Sequence, residues 1–317
     1  QGPDPAPAVS PDGKWVAYLG YRDTGKSYQI DELSVGRLDK PGDTPRRLAA
    51  SLDRSVSSPT WAADSSGLFF QYDDHGITRI GFVTLKKPDQ VTQVATNIGG
   101  TTIGRPYTSG SFSVSRLGTI AYTQPRPESP AEVAIARRDR PARLITRLNH
   151  DLFSQRQLAR TEPLTYKSTF DGRVIHGWVV TPPGFDSKAR TKTSKPLPVM
   201  LEIHGGPFAN YGERFSFEIQ LYAAAGYIVL YTNPRGSTGY GQEHYDAIDY
   251  GGYEVEDCLS ALDWVRDNLP HVDMDRFGMI GWSHGGFITL HANFREPDTF
   301  KAAVAMVPVT NLVFRLS

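Results

Sequence analysis

The sequence predicts two architectures in series: part of a β-propeller over residues 1–158, then an α/β unit with a mainly parallel sheet over residues 159–317. Three observations carry that division. A turn motif followed by β-formers recurs in the first half. The hydrophobic rhythm then changes to strands alternating with helices. A Gly-x-Ser-x-Gly pentapeptide finally sits between an expected strand and an expected helix.

In the first half, Ser10-Pro11-Asp12-Gly13-Lys14 is a turn cluster: proline presets φ and glycine accepts a positive φ. It leads into Trp15-Val16-Ala17-Tyr18-Leu19, rich in β-formers. A looser copy runs from Trp61 to Gly67 and leads into Leu68-Phe69-Phe70-Gln71-Tyr72. A weaker one, Ser115-Arg116-Leu117-Gly118, leads into Thr119-Ile120-Ala121-Tyr122. Anchored on Gly13, Gly67 and Gly118, the intervals are 54 and 51 residues. Repeats of that length with four strands each point to propeller blades, about three of them. A β-sandwich with chance turn similarity is the alternative. Three blades do not close a ring, so further blades are expected ahead of residue 1.

In the second half, 173–180, 197–203, 227–231, 276–280 and 302–307 read as strands. Helices are expected at 215–225, at 253–269 and after Gly285. The 253–269 helix has one apolar stripe: Val255, Cys258, Leu259, Leu262, Val265 and Leu269. Its acids, Asp257 and Asp263, are expected to face solvent. The lysine-rich stretch 187–195 reads as a solvated loop.

Lys plus Arg and Asp plus Glu balance at 34 each, which gives no electrostatic argument for nucleic acid or an anionic membrane. A single cysteine, Cys258, excludes an intrachain disulfide and a cysteine-based zinc site. No apolar run reaches the roughly 18 residues of a membrane span. The stretch from Gln1 to Pro5 lacks the basic and apolar regions of a signal peptide. A cytoplasmic and an exported location both stay open. No motif calls for a metal or cofactor.

The chemistry rests on Gly281-Trp282-Ser283-His284-Gly285. A serine on a sharp strand-to-helix turn is lifted clear of the sheet, and small neighbours let adjacent backbone pass. Ser283 is the expected nucleophile. His204-Gly205-Gly206-Pro207 follows the 197–203 strand, where an α/β-hydrolase places one oxyanion-hole amide. The Gly206 and His284 N–H groups are the expected donors, worth about 3–4 kcal/mol each in the transition state. The loop Asn233-Pro234-Arg235-Gly236-Ser237-Thr238-Gly239-Tyr240-Gly241 lacks the Gly-Lys-Ser/Thr ending of a phosphate-binding loop. It is expected to shape the wall of the active-site cleft. Arg235 within it is a candidate substrate contact, with a structural ion pair as the alternative.

The ordered set HGGP, NPRGSTGYG and GWSHGG behind SPDG-type repeats resembles the prolyl oligopeptidase family of serine peptidases. The nearest branch is that of acylaminoacyl- and dipeptidyl-peptidase-like enzymes. The resemblance implies a seven-bladed propeller over an α/β-hydrolase domain, with short peptides cleaved between them. It assigns Ser283 as nucleophile, with Gly206 and His284 as the oxyanion hole.

The triad order in this fold is Ser, then Asp or Glu, then His. Only 34 residues follow Ser283, so the hydrolase unit is expected to lack its C-terminal strands together with its acid and base. The His284 side chain is expected to diverge from Ser283 Oγ, His291 to lie on the following helix, and His204 to pack within its loop. His244 and His271 fall on the wrong elements. The expectation is a serine peptidase acting through an acyl-enzyme, nearly inactive as this stretch alone. A carboxylesterase and a non-catalytic propeller binding protein are the alternatives. The expected partners are a short peptide and either a second copy or a complementing C-terminal segment.

Overall fold

A computed structural model describes residues 7–185, 196–269 and 272–313. The first six residues, the lysine-rich stretch at 187–195 and His271 lie outside them. Three four-stranded antiparallel sheets come first, each a meander in chain order. The first comprises Ala8–Val9 (β1), Trp15–Gly20 (β2), Glu32–Arg37 (β3) and Arg46–Leu48 (β4). The second comprises Val56–Trp61 (β5), Gly67–Asp74 (β6), Ile77–Thr84 (β7) and Lys87–Thr96 (β8). The third comprises Phe112–Val114 (β9), Ile120–Arg126 (β10), Ser129–Arg137 (β11) and Arg140–Leu144 (β12).

The recurring turn joins the first and second strands of each sheet, but in a register the glycine anchors miss. Gly13 N–H bonds Ser10 O, Ser65 N–H bonds Ala62 O, and Gly118 N–H bonds Ser115 O, at 2.9 Å in every case. The three donors have φ of 73°, 58° and 74°. Ser65, not Gly67, is therefore the counterpart of Gly13, and the repeat intervals become 52 and 53 residues. Gly67 serves space instead, since a Cβ there would lie 2.2 Å from Val83 O.

The sheets stack through alternating faces of their strands. Leu68 and Phe70 of β6 join Leu33, Val35 and Val83 in one core. Phe69, between them, joins Ile80, Phe82, Ile120 and Tyr122 in another. This two-residue period makes the middle sheet buried on both faces. Each such side chain contributes about 1.5–3 kcal/mol on burial. Trp61 Nε1–H on Ala8 O at 2.8 Å adds a polar tie between the first two sheets.

After a short helix His150–Phe153 (α1), a six-stranded mixed sheet begins. Its strands are Arg160–Lys167 (β13), Val174–Thr181 (β14), Leu197–Ile203 (β15), Ile228–Asn233 (β16), Val272–Trp282 (β17) and Ala302–Met306 (β18). The spatial order is β13-β14-β16-β15-β17-β18. The pairs β13/β14 and β14/β16 are antiparallel, and the rest are parallel. Helices Phe217–Ala224 (α2), Gln242–Asp246 (α3), Tyr253–Asn268 (α4) and His284–Arg295 (α5) fill the crossovers and ends. Along β16, Ile228 and Leu230 meet the core that includes Val255 and Val265 of α4 and Ile288 of α5. Val229 and Tyr231 face Ile219 and Ala223 of α2. Both faces are covered, which is why β15 and β16 read as near-continuous apolar runs.

The α4 stripe forms as its periodicity predicts, with Val255, Cys258 and Val265 fully buried. Asp263 is exposed and pairs with Arg266 at 2.6 Å. Asp257 departs from expectation: it is 0% exposed. A carboxylate tolerates that only with a charged partner, and Arg235 supplies it.

The three-sheet half meets the six-stranded half along a packed seam. His75 and Gly76, the turn between β6 and β7, sit against β14, and His75 N–H donates to Gly239 O at 3.0 Å. Gly76 has φ of 77°, and a Cβ there would stand 2.5 Å from Trp178. Gln242 N–H reaches Asp53 Oδ1 at 3.2 Å. The glycine-rich loop at 233–241 thus builds this seam, besides supporting the loop after β15.

Candidate active site

Strand β17 ends at Trp282 and helix α5 begins at His284, leaving Ser283 alone to make the turn with φ 55° and ψ −112°. That conformation costs a non-glycine residue about 1–3 kcal/mol, and surrounding structure must hold it. Ser283 N–H bonds Met306 O on β18 at 2.9 Å, while Phe287 and Val309 N–H groups donate to Ser283 O at 3.0 and 3.3 Å. The flanking glycines are needed for space. A Cβ on Gly281 would lie 2.0 Å from Gly285 O, and one on Gly285 would lie 2.2 Å from Ile203 O.

The loop after β15 lies directly against this turn. A Cβ on Gly205 would be 3.1 Å from Ser283 Cβ and 2.9 Å from Trp282 O. Gly206 follows with φ of 145°, a region suited to glycine. The structure therefore brings Ser283, the first residue of α5 (His284) and the Gly205–Gly206 loop together. The helix start next to Ser283 also favours negative charge developing there.

His204 is buried behind the loop. Its Nδ1–H donates to Gly205 O at 2.8 Å, and Nε2 lies 2.9 Å from Ser237 Oγ, whose hydroxyl also reaches Pro234 O at 2.6 Å. Burial lowers its pKa to about 4, which keeps the ring neutral. His284 packs against Phe287 and Tyr250, with ring centroids 5.4 Å apart in both cases. Its Nε2 lies 3.8 Å from Glu254 Oε1, so the ring extends into the α4–α5 core. Glu254 is itself out of solvent, accepts the Gly251 N–H at 2.6 Å, and has its pKa raised to about 7 by burial.

Among the described residues, no histidine hydrogen-bonds the Ser283 hydroxyl. His244 Nε2–H bonds Pro234 O at 3.1 Å, and burial lowers its pKa to about 4. His291 lies on α5 with its ring 4.3 Å from that of Phe287. The His75 and His176 rings lie 4.8 Å apart in the seam, tilted by 36°.

Arg235 stands apart from this cluster and takes the ion-pair alternative. It is 2% exposed. Its Nε and Nη2 donate to the two oxygens of Asp257 at 2.8 Å each. Nη1 and Nη2 reach Asp171 at 3.3 and 3.1 Å. Phe170 and Tyr253, stacked on each other at 3.6 Å, lie together on one side of the guanidinium at 5.3 and 5.5 Å. Buried and engaged by two carboxylates, the guanidinium offers no exposed face to a substrate carbonyl.

Sequence reasoning missed two residues in the connection between β8 and β9. Tyr107 Oη accepts the Gly205 N–H at 2.7 Å. The Arg105 guanidinium lies 4.8 Å over the Trp282 ring and pairs with Glu218 through Nε at 2.7 Å. Neither belongs to a motif. The stretch, punctuated by Gly99, Gly100, Gly104, Pro106 and Gly110, reads only as loop.

Residues 213–317 match the sequence model of the prolyl oligopeptidase family. The uncharacterized peptidase YuxL of Bacillus subtilis is 32% identical over 260 residues, which cover 80% of this chain and 36% of that protein. A dipeptidyl-peptidase 5 from Arthroderma otae is 31% identical over 297 residues, 91% of this chain and 38% of that one. The chain thus spans well under half the length of these relatives. Among solved structures, an acylaminoacyl peptidase of Pyrococcus horikoshii superposes with a TM-score of 0.76 at 22% identity, covering 94% of this chain and 44% of that one. Dipeptidyl peptidase 4 of Porphyromonas gingivalis gives 0.71, also at 22% identity, covering 96% and 41%. These last two likenesses are of fold. Residues 213–317, which hold the serine turn, thus match the prolyl oligopeptidase family, and the His-Gly-Gly-Pro loop lies just ahead of that segment.

Proposed function

We propose that this chain is the nucleophile-bearing part of a serine peptidase that cleaves short peptides through an acyl-enzyme on Ser283. Residues 159–317 are read as the N-terminal part of an α/β-hydrolase unit, and residues 1–158 as part of a β-propeller in front of it. One observation carries the reading: Ser283 is held at φ 55° on the β17–α5 turn, in contact with the Gly205–Gly206 loop.

Ser283 Oγ attacks the scissile carbonyl carbon, and its proton passes to a base. The carbonyl oxygen becomes an oxyanion bound by the Gly206 and His284 N–H groups. The base returns the proton to the leaving amine as the C–N bond breaks, and water then releases the acyl group. His204 remains neutral behind the loop and holds it. The described residues supply the nucleophile and the donors but no histidine bonded to Ser283. A serine hydroxyl without a base is a poor nucleophile at neutral pH. We therefore read this stretch as nearly inactive on its own, with acid and base supplied by further sequence, as the greater length of the relatives suggests.

The test is turnover of peptide anilides by the full-length protein, beside simple esters and beside the isolated chain. The expected result is anilide cleavage that falls at least about a thousandfold in Ser283→Ala. Fluorophosphonate should label Ser283 in the longer protein and not in the isolated chain. Exclusive ester turnover would favour a carboxylesterase, and ordinary peptidase rates from the isolated chain would refute the missing base.

A further inference from the structure

We infer that Tyr107 is a positioning residue for the oxyanion loop, delivered by the three-sheet half of the chain, and that its hydroxyl fixes the Gly205 amide so that the next amide, Gly206, is aimed at the reacting oxygen. The inference rests on the acyl-transfer reading of Ser283 above.

Residues 106–108 form a small antiparallel pairing with 210–212. Tyr107 bridges Tyr211, Thr108 N–H bonds Asn210 O at 3.1 Å, and Gly212 N–H bonds Pro106 O at 2.8 Å. The Tyr107 ring stands edge-on to Tyr211 at 4.7 Å. Tyr211 is in turn 0% exposed and donates its hydroxyl to Glu202 Oε1 at 2.7 Å. The Tyr107 hydroxyl is therefore set by packed and hydrogen-bonded structure on both sides. From there it meets the Gly205 N–H at 2.7 Å.

The loop needs such an outside partner. Two successive glycines give it little conformational preference of its own, and Gly206 at φ 145° occupies a region only glycine adopts readily. Peptide planes are rigid, so fixing the His204–Gly205 plane at its N–H restricts where the following amide can point. Gly205 lies so near Ser283 that a Cβ on it would stand 3.1 Å from the serine Cβ. Donors stabilise an oxyanion strongly only when they need not reorganise as it forms.

Arg105 makes the companion contact two residues earlier. It lies over Trp282, the residue before the nucleophile, while its Nε and Nη2 grip Glu218 at 2.7 and 3.1 Å. One connection between sheets thus touches both halves of the reacting centre. The three-sheet half does more than cover the site: it holds the loop in working geometry.

The experiment is Tyr107→Phe in the full-length protein, which removes one oxygen and keeps the ring against Tyr211. The expected result is a fall in kcat of about 10- to 100-fold with KM within about twofold. Affinity for a peptide aldehyde, whose hemiacetal oxygen would occupy the oxyanion position, should fall by the same factor. Affinity for the cleaved product should hold, and the melting temperature should stay close to that of the parent. Unchanged kcat and aldehyde affinity would overturn the inference. So would a loss of activity tracked by equal losses in product affinity and melting temperature, which would mark a purely structural tyrosine. Ser283→Ala in the same assay separates the two readings. If it stays active, the acyl-transfer reading itself fails; if it is dead while Tyr107→Phe is normal, only the role of Tyr107 falls.

Discussion

Arg235 and Asp257 meet through two hydrogen bonds of 2.8 Å, with both side chains withdrawn from solvent. Asp257 also accepts the Arg235 backbone N–H at 2.9 Å. The pair locks the glycine-rich loop after β16 onto helix α4. Removing one partner strands the other as a buried charge. Arg235→Ala is therefore expected to cost about 3–5 kcal/mol in urea denaturation, and Arg235→Met with Asp257→Leu to cost less than either single change. A rise in KM with unchanged stability would instead return Arg235 to the substrate.

Gly285 faces Ile203 O, with a virtual Cβ 2.2 Å away. Gly285→Ala must push α5 off β15, moving the turn that carries Ser283. Chain folding should survive at a cost of about 1–3 kcal/mol, the scale of one added methyl in a packed core. Fluorophosphonate labelling of Ser283 in the full-length protein should drop by about two orders of magnitude, on the scale of a 1 Å misplacement. Labelling within a factor of two of the parent would contradict this.

Glu254 gives stability a pH dependence of definite sign. Burial raises its folded-state pKa from 4.5 to about 7, so the folded protein binds the proton more tightly than the unfolded chain. Its contribution to stability should then fall as pH rises from about 4.5 through about 7, by an amount on the order of 2–3 kcal/mol, against the opposite slope of the buried neutral His204 and His244. Glu254→Gln keeps the Gly251 hydrogen bond and should remove this contribution, leaving that of Glu202, which burial also raises to about 7. Denaturation midpoints for the two proteins between pH 4.5 and 8 decide it, and parallel curves would exclude Glu254 as the cause.

Gly76 is where the seam admits no side chain. Its φ of 77° and the 2.5 Å at which a Cβ would meet Trp178 both penalise alanine. Gly76→Ala is expected to lose about 1–3 kcal/mol and to loosen the β6–β7 turn from β14. Limited proteolysis at that turn and Trp178 fluorescence should change together. A protease pattern identical to the parent would show the seam does not depend on this turn.

The strands and helices of the second half next to Ser283 were legible because they follow local rules. The alternation in β6, the apolar stripe on α4 and the continuous apolar runs of β15 and β16 each reflect which faces a segment buries. The Gly-Trp-Ser-His-Gly turn was legible because steric space around a strained serine restricts residue type within five positions. Register within the repeats was not: Ser65 holds the left-handed turn position that a glycine holds in the other two sheets. A search anchored on glycine therefore drifts by two residues.

The sequence by itself determined the serine turn and the loop that faces it, since both are short-range demands on backbone space. Only the tertiary structure decided the fates of Arg235, Asp257, Tyr107 and Arg105. A buried aspartate on an amphipathic helix and a tyrosine in a featureless loop carry no local mark. Their roles come from partners 22 and 98 residues away in the chain. Periodicity reports whether a face is covered, and packing alone names the atom that covers it.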